Sequence, residues 1–446
     1  MIYDPLVSTS VLPLHPKPNS YWHADYQCQT LPSSLVYPFT EKQTDYLVIG
    51  GGYTGLSAAI SLSEAGKSVT VIDAHALGFG CSGRNAGFVL SGSGRLSLSA
   101  IQVKWGPETA TGMQQEFDSA VALLFDRIER YNMQVDLVKG PYYKLAHTQK
   151  QAALLHASAN AMNRQFNGNA ELLSQDDIAS RFSIRSVHGG VQTPGACVNP
   201  LKLLDEYARV ALAKGAQLLY QTPALRIEDK KSYFNVITEK GPIRAKHILL
   251  ATNAYTPKQF HSSIDTKHFP VQSSILVTAP LNKEMQQETG LNHAASFMDT
   301  RTMKYYYRVL LDGRLLFGGR GAVTGKDADN EKEKQRLFNA MAASFPSLRH
   351  IAVDHFWSGW VSVSMDSMPR IFTTDEGRIG YAMGYCGSGV SFSAFAGMRL
   401  AQRMLGDNSI NLSLPLYDTP LPTYPLPQLR RLALQGLYQW AKIFEQ

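Results

Sequence analysis

The chain has 446 residues, 44% of them hydrophobic and 18% charged, proportions of a folded globular protein rather than a disordered or membrane-embedded one. Its formal charge of +7 is modest for this length and no basic run stands out, so Lys and Arg read as solvated surface and no nucleic-acid partner is expected. One core is uncomfortable at this size, so two domains are the default. Cys28, Cys81, Cys197 and Cys386 are far apart with no C-x-x-C spacing, which argues for a reduced compartment and against a disulfide framework or metal site. The first residues lack the basic and apolar regions of a secretory signal. No apolar run approaches the roughly 20 residues that span a bilayer. A cytoplasmic protein without a transmembrane segment is expected.

Residues 1–43 are rich in Pro, Ser, Tyr and His. They read as an extended arm anchored by Tyr21 and Trp22, or as a disordered tail. The apolar run Tyr46–Ile49 reads as a buried parallel strand. Gly50, Gly52 and Gly55 follow with the G-x-G-x-x-G spacing. The first permits a tight turn, the second lets backbone approach a pyrophosphate, and the third lets the next helix pack on the strand. Leu56–Ala65 are small or apolar helix formers, with Gly66 where a helix would end. Free N–H groups at the start of that helix would hold phosphates. Asp73, closing a second strand over Val69–Ile72, stands where an acid meets the hydroxyls of an adenosine ribose. The combination is a dinucleotide site.

Gly78, Gly80, Gly83 and Gly87, with Ser82, Arg84 and Asn85 among them, make a loop able to wrap a flat polar ligand, or a flexible surface loop. Helical spacing covers about 102–131, with a stripe of Phe117, Val121, Leu124, Phe125 and Ile128. A helix over 198–215 has Pro near its start and Gly at its end. Strands are expected at Gln217–Tyr220, Ala224–Ile227, Phe234–Thr238 and along the apolar run from Lys246 to Ala251. Further strands are expected at Val271–Thr278, Met303–Leu310 and Leu315–Gly319, with a turn at Asp312-Gly313. Alternation puts Tyr305 and Tyr307 on one face, with Tyr306 and Arg308 on the other. One face lines a substrate pocket, or aromatics simply fill the sheet. A helix within 325–350 covers that sheet, and Leu429–Phe444 is amphipathic.

The motifs G-G-G-x-x-G-L-S-A-A, V-I-D and G-x-S-G-R-N-x-G-F resemble the D-amino-acid-oxidase superfamily of FAD-dependent oxidoreductases, closest to its γ-glutamylputrescine oxidase branch. The resemblance runs from about residue 44 to 410. It implies an α/β fold: a Rossmann-like FAD-binding domain (44–115, 191–256 and 354–412) and a substrate-binding domain of mixed β-sheet and helices (116–190 and 257–353). An arm (1–43) and a tail with a helix (413–446) complete the chain. FAD contacts implied by the resemblance are Gly50, Gly52, Tyr53, Thr54, Gly55, Asp73 and Ala74, then Ser82, Gly83, Arg84, Asn85, Ala86 and Gly87. The A-T-N-A-Y segment adds Ala251, Thr252 and Asn253, and the strand before it Ala224. The Y-x-M-G-Y-C-G-S-G-V segment adds Gly384, Gly387, Ser388, Gly389 and Val390.

Two departures narrow the expectation. Amino-acid oxidases of the superfamily place an Arg just after a W-x-G element to clamp the substrate carboxylate. Here the tract is Trp360-Val361, which points to an amine, although Arg308 or Arg320 could clamp from the sheet. Relatives with covalent flavin carry a Cys near that stretch, and none is present, so FAD is expected to bind non-covalently. Ser388 also stands where a His is common. The expected reaction is oxidation of a small-molecule amine, with O2 accepting the electrons and Tyr305, Tyr307, Arg308 and Trp360 lining the pocket. A dehydrogenase feeding a quinone or carrier, and a flavin-binding protein without turnover, are the alternatives. An NAD dehydrogenase fits the two additional glycine loops less well.

Overall fold

The computed structural model describes residues 3–13, 15–30, 42–166 and 168–444; the stretch 31–41 of the expected arm lies outside them. Ser20 caps α1 (Tyr21–Asp25), and Tyr21 and Trp22 are buried, as expected of anchors. β1 (Lys42–Ile49), α2 (Tyr53–Glu64) and β2 (Val69–Ile72) form the β-α-β unit, with β1 and β2 parallel. β3 (Phe88–Val89) leads to α3 (Leu98–Trp105) and α4 (Pro107–Arg130). The single helix expected over 102–131 is therefore split at Gly106, whose φ of +87° and ψ of 164° leave the helical path. Pro107 restarts the chain at a first-turn position that needs no N–H donor.

Next come β4 (Val138–Leu145), α5 (Gln149–Phe166), β5 (Glu171–Leu173), α6 (Gln175–Arg181) and β6 (Gly190–Cys197). α7 (Pro200–Ala213) is capped by the Asn199 side chain, which accepts from the N–H groups of Leu201 and Lys202. β7 (Gln217–Leu219), β8 (Ala224–Asp229), β9 (Phe234–Thr238) and β10 (Gly241–Leu250) follow. The chain then runs through β11 (Phe269–Pro280), α8 (Lys283–Thr289), β12 (Ser296–Asp299), β13 (Tyr306–Val309), β14 (Arg314–Arg320) and α9 (Glu331–Ser344). It closes with β15 (Val353–Val363), β16 (Arg370–Thr374), β17 (Ile379–Met383), α10 (Gly389–Met404) and α11 (Arg430–Phe444).

The strands make two sheets. One has the order β16-β17-β10-β1-β2-β7, with β9 and β8 branching from β10. Its strands from β17 to β7 are parallel, and β2 is buried along its whole length, as a strand covered on both faces must be. The second sheet has the order β15-β11-β14-β13-β12-β4-β6-β3, with β5 on β6. Four expected domain limits differ. β3, β6 and β15 pair in the second sheet, so 88–89, 191–197 and 354–363 do not belong with the first. Residues 116–130 end α4, whose Phe117 and Leu124 pack in the core of the first sheet's helices; they do not cover the second sheet.

α9 covers one face of the second sheet, placing Leu337 and Met341 against Phe317, Tyr307 and Phe297. The opposite face looks towards the first sheet. α11 buries Leu434 and Ala441 and exposes Leu432, Trp440, Ile443 and Phe444. No described helix is long and apolar enough to cross a membrane.

α10 crosses α2 at a point where side chains have no room. A Cβ on Gly397 would lie 2.0 Å from the Thr54 carbonyl oxygen. Gly397→Ala must push the helices apart and should cost roughly 1–3 kcal/mol. Gly436, in the interior of α11 with nothing within 4 Å of its would-be Cβ, behaves oppositely: Gly436→Ala should gain about 0.5–1 kcal/mol of helix propensity. Thermal melts of both variants check this contrast.

Candidate active site

β1 delivers the chain to Gly50, whose φ is +112° and whose would-be Cβ meets the Ala251 carbonyl oxygen at 2.6 Å. A side chain is excluded twice there, by backbone angle and by space. Gly55 serves the helix: a Cβ on it would lie 1.9 Å from the Gly50 oxygen. α2 thus starts hard against the strand end, with Gly52 at its N-cap and no side chain capping it. The Tyr53 N–H donates to Ser82 Oγ at 3.1 Å, and the helix start opens on a cavity of about 700 Å³, within the range of large ligand sites. Asp73 accepts from Gly51 N at 2.8 Å and from His75 N at 2.9 Å. Burial pushes its carboxyl up to about 6, against the two amides that lower it.

The far wall belongs to the second glycine segment. α10 begins at Ser388, again without a side-chain cap, since the Ser388 hydroxyl donates to the Tyr385 carbonyl at 2.9 Å. The hydroxyls of Thr54 and Tyr385 lie 2.7 Å apart, tying the two helix starts together. Two uncapped helix N-termini therefore open on one cavity, an arrangement suited to anions and to negative charge on a bound ring. Asn253 fixes the third element, its side-chain oxygen accepting from Gly384 N at 3.2 Å.

Of the residues expected to bind cofactor, Gly50, Gly52, Tyr53, Thr54, Asp73 and Ala74 line the cavity. So do Ser82, Arg84, Asn85, Ala86, Ala224, Ala251, Thr252, Asn253, Gly387, Ser388, Gly389 and Val390. Gly55, Gly83, Gly87 and Gly384 do not line it. Gly55, Gly83 and Gly87 sit where a Cβ would strike backbone, Gly83 against Gly78 and Gly87 against Val198; they shape the loops. Tyr53 contributes only its backbone end, since its hydroxyl donates to Pro200 O at 2.7 Å. Arg84 and Asn85 turn partly inwards. Arg84 donates to Phe79 O and, at 3.0 Å, to Ser358 O, while Asn85 bonds Cys81, Ser82 and Gly87. The indoles of Trp22 and Trp357 donate to the carbonyls of Asn85 and Arg84, both at 2.9 Å. Aromatic clamps thus hold the loop from outside.

Beyond the helix starts, the cavity meets the second sheet. Register aligns Lys144 with Met298, Met298 with Tyr306, Tyr306 with Gly318, and Ser273 with Arg320. Tyr142, Lys144, Met298, Lys304, Tyr306, Arg320 and Ser273 line this end. The Tyr306 ring lies over Gly318, where a Cβ would be 2.2 Å from it. Its hydroxyl lies 2.8 Å from Ser273 Oγ, and burial pushes it up to about 12, so it stays neutral.

The expected pocket residues fall elsewhere. Tyr305 and Tyr307 occupy the face under α9, both stacked on Phe317, because successive strand residues point to opposite faces. Arg308 shares the face of Tyr306 but lies beyond the cavity, donating to Val198 O at 2.8 Å and resting over Trp22. Trp360 donates its indole N–H to Tyr3 O at 3.0 Å, securing the N-terminal segment. Lys144, Lys304 and Tyr306 were missed. Alternation pointed to Tyr306, but Lys144 and Lys304 approach only through strand pairing.

Lys304 has burial and three neighbouring cations, Lys144, Arg320 and Arg95, pushing it down to about 8. Asp299 nearby is already engaged by Arg301 and by the N–H groups of Arg301 and Tyr305. None of the four cations makes an ion pair among the described residues.

A β-α-β cradle, an acid just past the end of β2 and a second helix start on the same cavity suit a dinucleotide-dependent enzyme. The FAD dependent oxidoreductase (DAO) family model matches residues 45–403, and the chain belongs to that family; its cofactor is FAD. The chain is 30% identical over 378 residues to a probable oxidoreductase OrdL of Haemophilus influenzae, covering 83% of this chain and 85% of the relative. It is 29% identical over 392 residues to the γ-glutamylputrescine oxidoreductase of Escherichia coli, covering 87% and 89%. The glycine oxidase structure from Geobacillus kaustophilus shares the fold, with a TM-score of 0.70 at 19% identity over 86% of this chain and 100% of that one. The residues present fit FAD: the helix starts would hold its phosphates and ring, and Asp73 would hold its ribose. Asp73→Ala removes a charged hydrogen-bond acceptor and should weaken FAD binding about 10- to 150-fold, measured by titrating stripped protein with FAD.

Proposed function

We propose that the chain oxidises a small-molecule amine, γ-glutamylputrescine-like or another primary or secondary amine, at the carbon bearing nitrogen. Non-covalent FAD serves as cofactor and O2 as final acceptor. The observation that carries this reading is the continuity of one cavity from the dinucleotide cradle to a sheet face bearing Tyr306, Lys304 and Arg320. FAD, when bound, supplies the two-electron acceptor for the C–H bond beside nitrogen, after which the imine hydrolyses in water.

The chain's own residues orient and desolvate the amine. Tyr306, held flat by Ser273 and Gly318, offers a fixed neutral hydroxyl. Ile275, Met298 and Val361 make the wall apolar. Surrounding cations disfavour an ammonium and so lower the substrate amine's pKa, leaving the lone pair free for the C–H bond to break. Cys386 lines the cavity as a buried thiol, its Sγ 3.1 Å from Gly384 O, with burial raising its pKa; a neutral thiol is a poor nucleophile. Acid precipitation should therefore release all yellow cofactor into the supernatant, and flavin retained on the pellet would contradict non-covalent binding. The described cysteines are unpaired, in keeping with a cytoplasmic setting.

Anaerobic addition of amines to the FAD-loaded protein tests the reading: bleaching of the flavin band by one of them is the expected result. Tyr306→Phe should lower the bleaching rate, while Tyr307→Phe, on the far face, should leave it unchanged. A second reading, electron delivery to a quinone or carrier, draws on the exposed apolar stripe of α11. Oxygen uptake compared with dye reduction during turnover separates the two.

A further inference from the structure

The N-terminal residues 3–13 and 15 precede the family match, which begins at residue 45, yet they reach the cavity at several points. Tyr3 and Val11 line it. At the α10 start, Leu6 packs against a cluster that holds the cavity residue Cys386 and Leu434 of α11. Beside the 251–255 loop, Tyr3 is buried, and its hydroxyl donates to Tyr255 O at 2.9 Å while its carbonyl accepts from the Trp360 indole. Ser8 O accepts from Lys258 N at 2.9 Å. Near Asp73, the His15 ring is stacked with His75 and Phe79, at centroid distances of 6.0 and 6.3 Å. His75 also lines the cavity, and its buried Nε2 has no hydrogen-bond partner among the described residues, a polar group left for a ligand. The segment therefore touches both the ribose end and the ring end of the proposed cofactor site.

One ion pair ties this segment to the other end of the chain. The Asp4 carbonyl accepts from Val7 N and Ser8 N at 3.1 and 2.9 Å, which turns the chain. Its carboxylate accepts from Leu6 N at 3.1 Å and Gly325 N at 2.9 Å, and pairs with Arg431 of α11. The two side chains are only 13% and 23% exposed. An exposed pair would be worth little, whereas removing one partner of a shielded pair strands the other charge. No helix or strand forms among the described residues before α1 at Tyr21, so these few bonds hold the segment, and it can lift without unfolding a sheet. We propose that Tyr3 to His15 form a strap over bound FAD, latched to α11 by the Asp4–Arg431 pair, and that the cofactor exchanges only when this latch opens. The proposal holds whichever amine is oxidised.

The test follows the exchange of bound FAD for excess 5-deaza-FAD in the full chain, read from the absorption spectrum of the protein after gel filtration. Asp4→Asn and, separately, Arg431→Gln should speed exchange about tenfold or more, while Arg431→Lys, which keeps the charge, should stay closer to the parent. The double variant Asp4→Asn/Arg431→Gln should exchange no faster than the faster single variant, because both changes break one link. Lys442→Gln, an exposed cation on the same helix, should leave exchange unchanged. Amide hydrogen exchange supplies a second readout. In the FAD-loaded parent the N–H groups of Leu6, Val7 and Ser8, all bonded to Asp4, should be protected. In the latch variants they should lose that protection while β1 and α2 keep theirs. Parent-like FAD exchange in both latch variants would overturn the proposal. So would an equal effect of Lys442→Gln, or additive effects in the double variant. Protection lost across β1 and α2 together with the strap would overturn it as well, because the fold rather than a latch would then have loosened.

Discussion

The convergence of two helix starts governs this molecule. α2 and α10 can meet only because Gly397 lies against the Thr54 carbonyl and because Gly55 lets α2 begin directly beneath Gly50. Neither helix has a side-chain cap, so both leave backbone N–H groups and positive dipole ends facing the same space. Such groups need a partner, and a dinucleotide with a redox ring offers one at each end: phosphates for α2, the electron-rich reduced ring for α10. The Thr54–Tyr385 bond and the Asn253–Gly384 bond hold the two starts in register.

The second sheet walls the end of the cavity away from the glycine cradle. Its α9-covered face is a closed aromatic core in which Phe297, Tyr307 and Phe317 stack, and this core fixes the opposite face by strand pleating. Tyr306 is pinned between Gly318 and Ser273, and Arg320 is brought beside it by the β11–β14 register. The N-terminal arm and β15 then hold the 78–87 loop through Trp22 and Trp357. Residues of both sheets thus line one cavity.

Much of this was legible in the sequence. The β-α-β unit, Asp73, and the loops at 251–253 and 387–390 follow local rules of spacing and small residues, and the structure brings them together. Gly55, Gly83 and Gly87 lie against backbone and Gly384 against the side chains of Leu421 and Ser364; a motif records where a Cβ cannot fit without saying what fills the space. The pocket choices failed for a different reason. Period-two alternation separates Tyr305 and Tyr307 from Tyr306 and Arg308, yet it cannot say which face is covered. That depends on where α9 packs, a tertiary fact. Lys144 lies about 160 residues from Lys304 in the chain and meets it only through the parallel β4–β12 pairing. The assignment of β6 and β15 to the second sheet is equally non-local.

The central claim is that the cavity holds FAD with its reactive ring between the α10 start and the Tyr306–Arg320 face. A crystal structure of the FAD-loaded protein tests it most directly. The account predicts pyrophosphate at the start of α2, ribose on Asp73, and the ring beside Gly387–Val390 with one face open towards Tyr306. A ring lying outside this cavity, or one facing away from the second sheet, would contradict it.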